Sequence, residues 1–301
     1  MFKVLIVGGA GFVGSHLAEI ALRAGFEVHV IDDLSFGRKV FVPKAAKFHL
    51  LDICSPKLSA LIKKISPHYV CQLAGVNVVS AANNNPSHDL SVAVVGTVNL
   101  LSALKDLKIK KFLYVSSLAV YKSSDKPIKE NDDIEPTSFY ALSRVTAEGY
   151  LNYYAENYGL PQVITRLTRI FGPRQLAGTM PRFVKAALES EPLLLPGQGE
   201  SVRDYLYVTD AAQGIFQALQ FGQGVYNLST GEGISFRELA LAIGQVIGEV
   251  PKVNYIALDS GEALISVFNS DKAQAQLNWS PQVPLIEGLR LTFKWWKEQG
   301  K

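Results

Sequence analysis

"KVLIVGGAGFVGSHLAEIALRAGFEVHVID", residues 3–32, is the stretch on which the reading of this chain turns. Residues 3–8 are unbroken in apolar character from Val4 onward, the pattern of a strand buried on both faces. Residues 12–24 then carry helical periodicity, and "EVHVID" at 27–32 reads as a second strand. Between strand and helix stand Gly8, Gly11 and Gly14, and counting from Gly9 the same turn also satisfies Gly-x-Gly-x-x-Gly. Glycine triplets alone are common in turns. This one follows an apolar strand, opens a helix, and is answered at the end of the next strand by Asp32. That arrangement suits a dinucleotide. Bare glycines let the backbone approach a pyrophosphate, the helix N-terminus offers oriented N–H donors, and the acid accepts hydrogen bonds from a ribose. Gly8, Gly11, Phe12, Val13 and Gly14, with Asp32, Asp33 and Leu34, are therefore the candidate cofactor contacts. A carboxylate at 32 repels the extra phosphate of NADP, which favours NAD; Arg38 nearby keeps NADP open as the alternative.

Outward from this unit the alternation continues. "KFHLLD" (47–52), "HYVCQLA" (68–74), "KFLYVSS" (111–117) and "PQVITRL" (161–167) read as strands, and 87–106 and 137–158 as helices. Strands alternating with helices imply right-handed crossovers and an α/β fold with a Rossmann-type, doubly wound parallel sheet. Beyond about residue 171 the stretches "GPRQLAGTMP", "PLLLPGQGES" and "STGEGIS" are rich in turn formers, while "DYLYV" and "VYNLS" read as strands and 209–221, 235–247 and 284–299 as helices. The expected division is a dinucleotide-binding domain over 1–170 and a smaller C-terminal α/β substrate-binding part over 171–301, interleaved with the first.

The 301 residues are 48% hydrophobic and 19% charged, enough for a substantial core. A net charge of +3, spread along the chain, forms no basic stripe for nucleic acid. The N-terminus does not read as a signal peptide and no apolar run reads as a membrane span, so a cytoplasmic protein is expected. Cys54 and Cys71 lack metal-site spacing and are read as reduced core residues, and the five histidines make no ligand pattern, so no metal is expected. Trp279, Trp295 and Trp296 are read as packing for the C-terminal part.

The ordered motifs "GGAGFVGSHL", "IDDLSFG", "LLDI", "QLAG", "YVSSLAVY", "YALSRVTAE", "GPRQ" and "VRDYLYVTDAA" resemble those of the extended short-chain dehydrogenases/reductases, within them the NAD-dependent epimerase/dehydratase family acting on nucleotide sugars. The resemblance covers nearly the whole chain. It implies that Asp52 and Ile53 hold the adenine, that Leu73, Ala74 and Gly75 pass along the cofactor, that Ser117 hydrogen-bonds the sugar hydroxyl, and that Tyr140 is the base. Arg203 then grips the nucleotide diphosphate. Read from the residues themselves, Asn77 is expected to reach the sugar and Arg169 to add positive charge on the substrate side. The implied activity is epimerisation of a nucleotide sugar at C4 through a transient keto sugar, by a homodimer paired through helices 87–106 and 137–158. A one-way NAD(P)-dependent reductase or dehydrogenase, or a dinucleotide-binding regulatory protein with impaired catalysis, are the alternatives.

The chain departs from the family pattern at four places. Arg144 replaces the lysine of Tyr-x-x-x-Lys, Ala93 and Arg169 each stand where an asparagine is usual, and Asp259 stands where a second diphosphate arginine is usual. A free phenol ionises near pH ~10, so Tyr140 needs a neighbouring cation to act as a base at neutral pH. Arginine keeps that charge but presents a longer planar fork, and a bland alternative pairs Arg144 with Glu148 one turn on. Arg203 has a similar alternative partner in Asp204. Leu118 and Ala119 follow Ser117 where the dehydratases and decarboxylases carry acids. Their absence removes the expected proton-handling groups for elimination or decarboxylation.

Overall fold

The computed structural model describes residues 1–76, 78–257 and 265–299, so Asn77 and Asp259 lie outside the described residues. Strands β1 (Lys3–Val7), β2 (Glu27–Asp32), β3 (Lys47–Leu50), β4 (Tyr69–Gln72), β5 (Lys111–Ser117) and β6 (Gln162–Leu167) lie in a parallel sheet. Helices α1 (Phe12–Arg23), α2 (Leu58–Ile65), α3 (Val79–Asn84), α4 (Pro86–Leu90), α5 (Gly96–Leu104) and α6 (Phe139–Tyr158) connect them. Strand β7 (Arg169–Phe171) leaves this sheet, followed by α7 (Thr179–Leu188), β8 (Leu193–Pro196) and β9 (Val202–Tyr207). Helix α8 (Val208–Phe221) then leads into β10 (Gly224–Leu228), which returns to pair with β6. The remainder comprises β11 (Gly233–Ser235), α9 (Phe236–Ile247), β12 (Val253–Ile256), β13 (Ile265–Ser266), α10 (Asp271–Leu277) and α11 (Leu285–Gln299).

The main sheet therefore has seven strands in the order β10-β6-β5-β4-β1-β2-β3, a Rossmann-type arrangement. Strand order reverses between β1 and β4, and in such sheets the crevice beyond the carboxyl ends of those two strands receives the ligand. Smaller sheets, β7 and β11 with β13 around β9, and β12 with β8, form the second layer of structure.

Both faces of the main sheet are covered, which explains its near-continuous apolar strands. On one side α1, α8 and α10 pack through Leu17, Ile215, Leu219 and Leu277. On the other α2, α5 and α6 contribute Leu58, Ile62, Leu100, Leu104 and Leu151. Phe171, Phe183, Tyr207, Phe236, Leu239 and Phe293 build the core of the smaller part. Local signals agree with these elements: Ser138 Oγ accepts from Ala141 N at 3.1 Å to cap α6, and Ser235 with Glu238 forms a capping box on α9.

Several expectations need correction. The helix expected over 87–106 runs 86–104 with a π-helical turn at Ser91–Val95 between α4 and α5. Its 19 residues are long and apolar enough to span a membrane, yet half of the stretch is buried against the protein's own core, with Leu100, Leu101 and Leu104 fully enclosed. Apolarity here serves the sheet. Trp279 packs beneath the main sheet rather than in the C-terminal part, its indole N–H donating to Asp210 O at 2.9 Å. Cys71 is buried, but Cys54 is only half-buried, with its Sγ 3.2 Å from Ser91 O.

Candidate active site

The turn after β1 requires glycine at positions 8 and 14. Gly8 has φ +82°, and a Cβ there would lie 2.7 Å from Ala74 N. Its bareness lets the β1 turn lie directly against the segment after β4. Gly14 is equally constrained, since its Cβ would lie 2.8 Å from Gly9 Cα. Gly11, the residue before α1, would place a Cβ within reach of Gly8 O alone and otherwise in open space. No side chain caps α1, so the N–H groups of its first turn, from Phe12, Val13 and Gly14, face that space. This is a cradle for an anion such as a pyrophosphate.

Asp32 ends β2 and is buried. Its Oδ2 accepts from Ala10 N at 2.9 Å and its Oδ1 from Leu34 N at 2.8 Å, so it joins the glycine turn to the loop after β2. Burial raises its carboxyl above the usual range, against the lowering effect of those two N–H groups. One lone pair remains on each oxygen, which leaves capacity for a ribose diol. Leu34 adopts φ +66°, while Asp33 is exposed and turns inward on Ser35. Arg38 is also exposed, with its N–H donating to Ala10 O at 3.0 Å. Across the mouth, Asp52 Oδ1 accepts from Cys54 N at 2.7 Å, and Ile53 is buried against Gly96.

Leu73, Ala74 and Gly75 run alongside the glycine turn, held by a residue that the sequence reading overlooked. Gln72 is fully buried; its Oε1 accepts from Ala74 N at 3.0 Å and its Nε2 donates to Ala74 O at 3.2 Å and Thr97 Oγ1 at 3.1 Å. The available signal was a polar residue inside an apolar strand, because buried amides are normally spent on hydrogen bonds.

Tyr140 and Arg144 occupy one face of α6, as their i, i+4 spacing requires. The guanidinium carbon of Arg144 lies 4.8 Å from the centre of the Tyr140 ring. Arg144 is buried; Nη2 donates to Val76 O at 2.9 Å and Nη1 to Tyr114 OH at 3.4 Å. The guanidinium lies so flat against Gly75 that a Cβ there would approach Nη1 to 2.7 Å. Burial acts to lower the guanidinium's proton affinity, but the phenols of Tyr114 and Tyr140 and the Asp89 carboxylate outweigh it, so the net direction is upward. Arg144 is a permanent cation here. Ser117 stands at the end of β5, three residues after Tyr114, and its Oγ accepts from Ala119 N at 3.1 Å to start a short 3₁₀ turn at Leu118–Val120. Helix α6 packs on both β5 and this turn.

Glu148 does not pair with Arg144. It accepts from Arg166 Nε at 3.1 Å and Nη2 at 2.6 Å, and from Ser116 Oγ at 2.5 Å, all of them buried. A strand arginine approaching edge-on offers the carboxylate two parallel N–H bonds, which the neighbour one helical turn away does not.

Arg203 is buried on β9, with Nη1 donating to Val202 O at 2.9 Å and its guanidinium carbon 5.6 Å from the Phe236 ring centre. Asp204, its expected alternative partner, instead accepts from Thr230 N, Thr230 Oγ1 and Gly231 N. Burial pushes the Asp204 carboxyl up to about 6. Register places Arg169 on β7 beside Tyr205, two residues along from Arg203. The two arginines thus belong to the same face of this small sheet. A further clasp was unforeseen: Arg174, at φ +71°, donates to Ser15 Oγ at 3.2 Å and pairs with Glu19, while His16 Nε2 lies 3.1 Å from Pro173 O. Burial holds His16 down to about 4, so it is neutral at physiological pH and ties residues 173–174 to α1. Among the described residues no group of three or more His, Cys, Asp or Glu is placed to hold a metal.

Comparison with known proteins agrees with this geometry. The chain is 31% identical over 312 residues to the UDP-glucose 4-epimerase of Mycolicibacterium smegmatis, spanning 99% of this chain and 100% of that one. It is 30% identical to the human dTDP-D-glucose 4,6-dehydratase, covering 98% and 90%. Among solved structures, the UDP-glucose 4-epimerase of Thermotoga maritima with UDP-glucose superposes with a TM-score of 0.96 at 29% identity, covering 100% of both chains. The Thermus thermophilus UDP-glucose 4-epimerase with NAD gives 0.93 at 32% identity, covering 98% and 99%. The family profile itself matches residues 4–229, and with the fold and turn geometry above, the chain belongs to the NAD dependent epimerase/dehydratase family.

Proposed function

We propose that this chain is an NAD-dependent nucleotide-sugar 4-epimerase of the UDP-glucose type, working as a cytoplasmic homodimer. The observation that carries the reading is the stack of Tyr140 and Arg144 on α6, with the guanidinium laid across Gly75 and Val76 beside the glycine turn. A tyrosine supported by a buried cation thereby meets the path of the dinucleotide. Gly8, Gly11, Phe12, Val13, Gly14, Asp32, Ile53 and Leu73 to Gly75 would hold NAD, which when bound takes a hydride from the sugar carbon and returns it.

The remaining work falls to side chains. The Tyr140 phenolate accepts the sugar hydroxyl proton and later gives it back, so its proton balance closes over one turnover. Ser117 Oγ hydrogen-bonds the same sugar oxygen. Arg144 offsets the phenolate charge, the requirement for a phenol to serve near neutral pH. Arg203 and Arg169 hold the diphosphate. Leu118 and Ala119 offer no carboxyl group, which favours epimerisation over elimination. Exposed Leu90, Val95, Phe139, Leu142 and Tyr153 along α4, the π-helical turn that follows it and α6 support pairing of two copies through these helices.

The test is to incubate the NAD-loaded protein with UDP-galactose and follow UDP-glucose formation together with nicotinamide absorbance. Interconversion without net absorbance change is expected, and Tyr140→Phe should lower turnover by about 10³-fold while retaining NAD. Undiminished turnover in Tyr140→Phe would sink the assignment. Absorbance change in step with product would identify a reductase or dehydrogenase. The commitment of Arg144 to Val76 O and Tyr114 OH favours one second reading, a dinucleotide-binding protein without turnover. Retained NAD with no interconversion in the wild type would establish it.

A further inference from the structure

Cations that are scattered along the sequence are gathered by the fold at one end. In a parallel sheet whose helices run back between strands, strand starts and helix last turns share an edge. Backbone contacts mark that edge: Lys3 N–H donates to His68 Nδ1 at 3.0 Å and Lys110 N–H to His68 O at 2.7 Å, which joins the starts of β1, β4 and β5. Two lysines here are spent on helix ends. Lys3 Nζ donates to Ile65 O at 2.9 Å, the last residue of α2, and Lys111 Nζ to Gly222 O at 2.6 Å, just past α8. Lys63 and Lys64 in the last turn of α2, and Lys105, Lys108 and Lys110 between α5 and β5, have no such duty. All five are exposed, and none makes an ion pair or a side-chain hydrogen bond among the described residues.

Aromatic side chains stand between these cations. Phe2, Tyr158 and Phe221 are 43%, 52% and 65% exposed. The segment that joins α5 to β5 reaches all three: Lys105 Nζ lies 5.9 Å from the Tyr158 ring centre and Lys110 Nζ 4.2 Å from that of Phe2, while Lys111 holds Gly222, the neighbour of Phe221. They therefore belong to one surface rather than to three separate exposures. Phe2 is also braced from behind, edge-on to His68 at 5.3 Å and to Tyr69 at 5.9 Å. Acids are few at these element ends: Asp106 and Glu156 are exposed there, and Glu27 is already paired with Lys47 and His29.

We propose that this end of the sheet docks on an anionic phospholipid surface, with Phe2, Tyr158 and Phe221 entering the headgroup layer and the lysines facing lipid phosphates. This is attachment to a membrane surface, not a span. Two features favour lipid over nucleic acid or an acidic protein. All five cations are lysines, compact point charges that lack the planar fork used to read a fixed phosphate geometry. Aromatic rings interleaved with lysine stems suit the boundary between headgroups and acyl chains, where one end of each group is apolar and the other wet. Placement gives the docking a consequence. Lys111 and Ser117 are the two ends of β5, about 20 Å apart, so a docked molecule turns the crevice at the carboxyl ends of the strands toward water. None of these surface residues belongs to the candidate active site, and the inference stands apart from the sugar chemistry.

The test is cosedimentation of NAD-loaded protein with sucrose-filled vesicles, of phosphatidylcholine alone or of phosphatidylcholine and phosphatidylglycerol in equal parts. Binding to the mixed vesicles that weakens with added salt and is absent with phosphatidylcholine alone is expected. Each lysine near an anionic surface changes the partition coefficient about fivefold, so Lys63→Gln, Lys64→Gln and Lys108→Gln combined should lower it about 100-fold. Phe221→Ser should lower it at least about fivefold through lost apolar burial while leaving its salt dependence unchanged. Both variants should keep wild-type NAD affinity and far-ultraviolet circular dichroism, since the changed side chains are exposed. No sedimentation with the mixed vesicles, equal sedimentation with both kinds, or undiminished binding by the lysine variant would overturn the proposal. Retention on a DNA duplex as tight as on mixed vesicles, with Phe221→Ser affecting neither, would overturn it in favour of a general polyanion surface.

Discussion

Replacing Glu148 by alanine tests the buried connection that holds α6 against the sheet. The carboxylate receives two hydrogen bonds from Arg166 and one from Ser116, and both charged side chains are nearly fully buried. Without it, Arg166 remains a buried cation whose Nη1 already meets no acceptor among the described residues. Removing one partner of such a pair costs about 3–5 kcal/mol. The stranded Ser116 hydroxyl places Glu148→Ala toward the upper end of that range, by about 1 kcal/mol for a lost buried hydrogen bond.

Arg166→Met should cost a similar amount, because Glu148 would keep only Ser116. The pair Glu148→Leu with Arg166→Met removes both charges and fills the space with carbon. Desolvation of two ions is then no longer required, so the double variant should lie within about 2 kcal/mol of wild type. The coupling energy from the cycle of Glu148→Leu, Arg166→Met and their double variant should be at least about 3 kcal/mol. Equilibrium urea unfolding followed by far-ultraviolet circular dichroism measures it. Additive losses would refute the reasoning, since they would mean that neither ion depends on the other. The structural corollary is direct: Glu148 lies one turn beyond Arg144, and Ser116 directly precedes Ser117, so this link fixes the spacing between the helix carrying Tyr140 and the strand end carrying Ser117.

Two further outcomes follow from the site. With its folded-state value near 6 against an ordinary 3.8, Asp204 holds a proton that the unfolded chain gives up, so it makes stability fall as pH rises through that interval, by about 3 kcal/mol; urea midpoints across that range should show this slope in the wild type and lose it in Asp204→Asn, and matching slopes would contradict the burial argument. Gly14→Ala forces a methyl against Gly8 and Gly9, which must push the start of α1 away from the turn; NAD affinity by fluorescence titration should weaken at least about tenfold, with about 1–3 kcal/mol of lost stability, and unchanged affinity would show that the turn does not carry the cofactor.

What the sequence disclosed was local or periodic. The glycine turn, the apolar run of β1 and Asp32 at the end of β2 are legible because strand, turn and helix signals lie within thirty residues and reinforce one another. The pairing of Tyr140 with Arg144 follows from helical spacing alone. By contrast, Glu148 finds Arg166 eighteen residues away on β6, so no sequence period announces that partnership. Gln72 was hidden for a different reason: one polar residue scarcely disturbs an apolar strand pattern. The π-helical turn at Ser91–Val95 escaped as well, because one widened turn scarcely alters the apolar helical pattern of the residues around it.

The return of β10 to the main sheet bears on how this protein is made. Strand β6 is complete at Leu167, but the neighbour that covers its outer edge is not synthesised until Gly224–Leu228. Throughout that interval a nascent chain presents β6 as an open edge, with unpaired N–H and C=O groups that invite other strands. Ribosome-bound chains halted between these points should therefore depend on holding chaperones, and release from them should coincide with emergence of β10 rather than with completion of the first six strands.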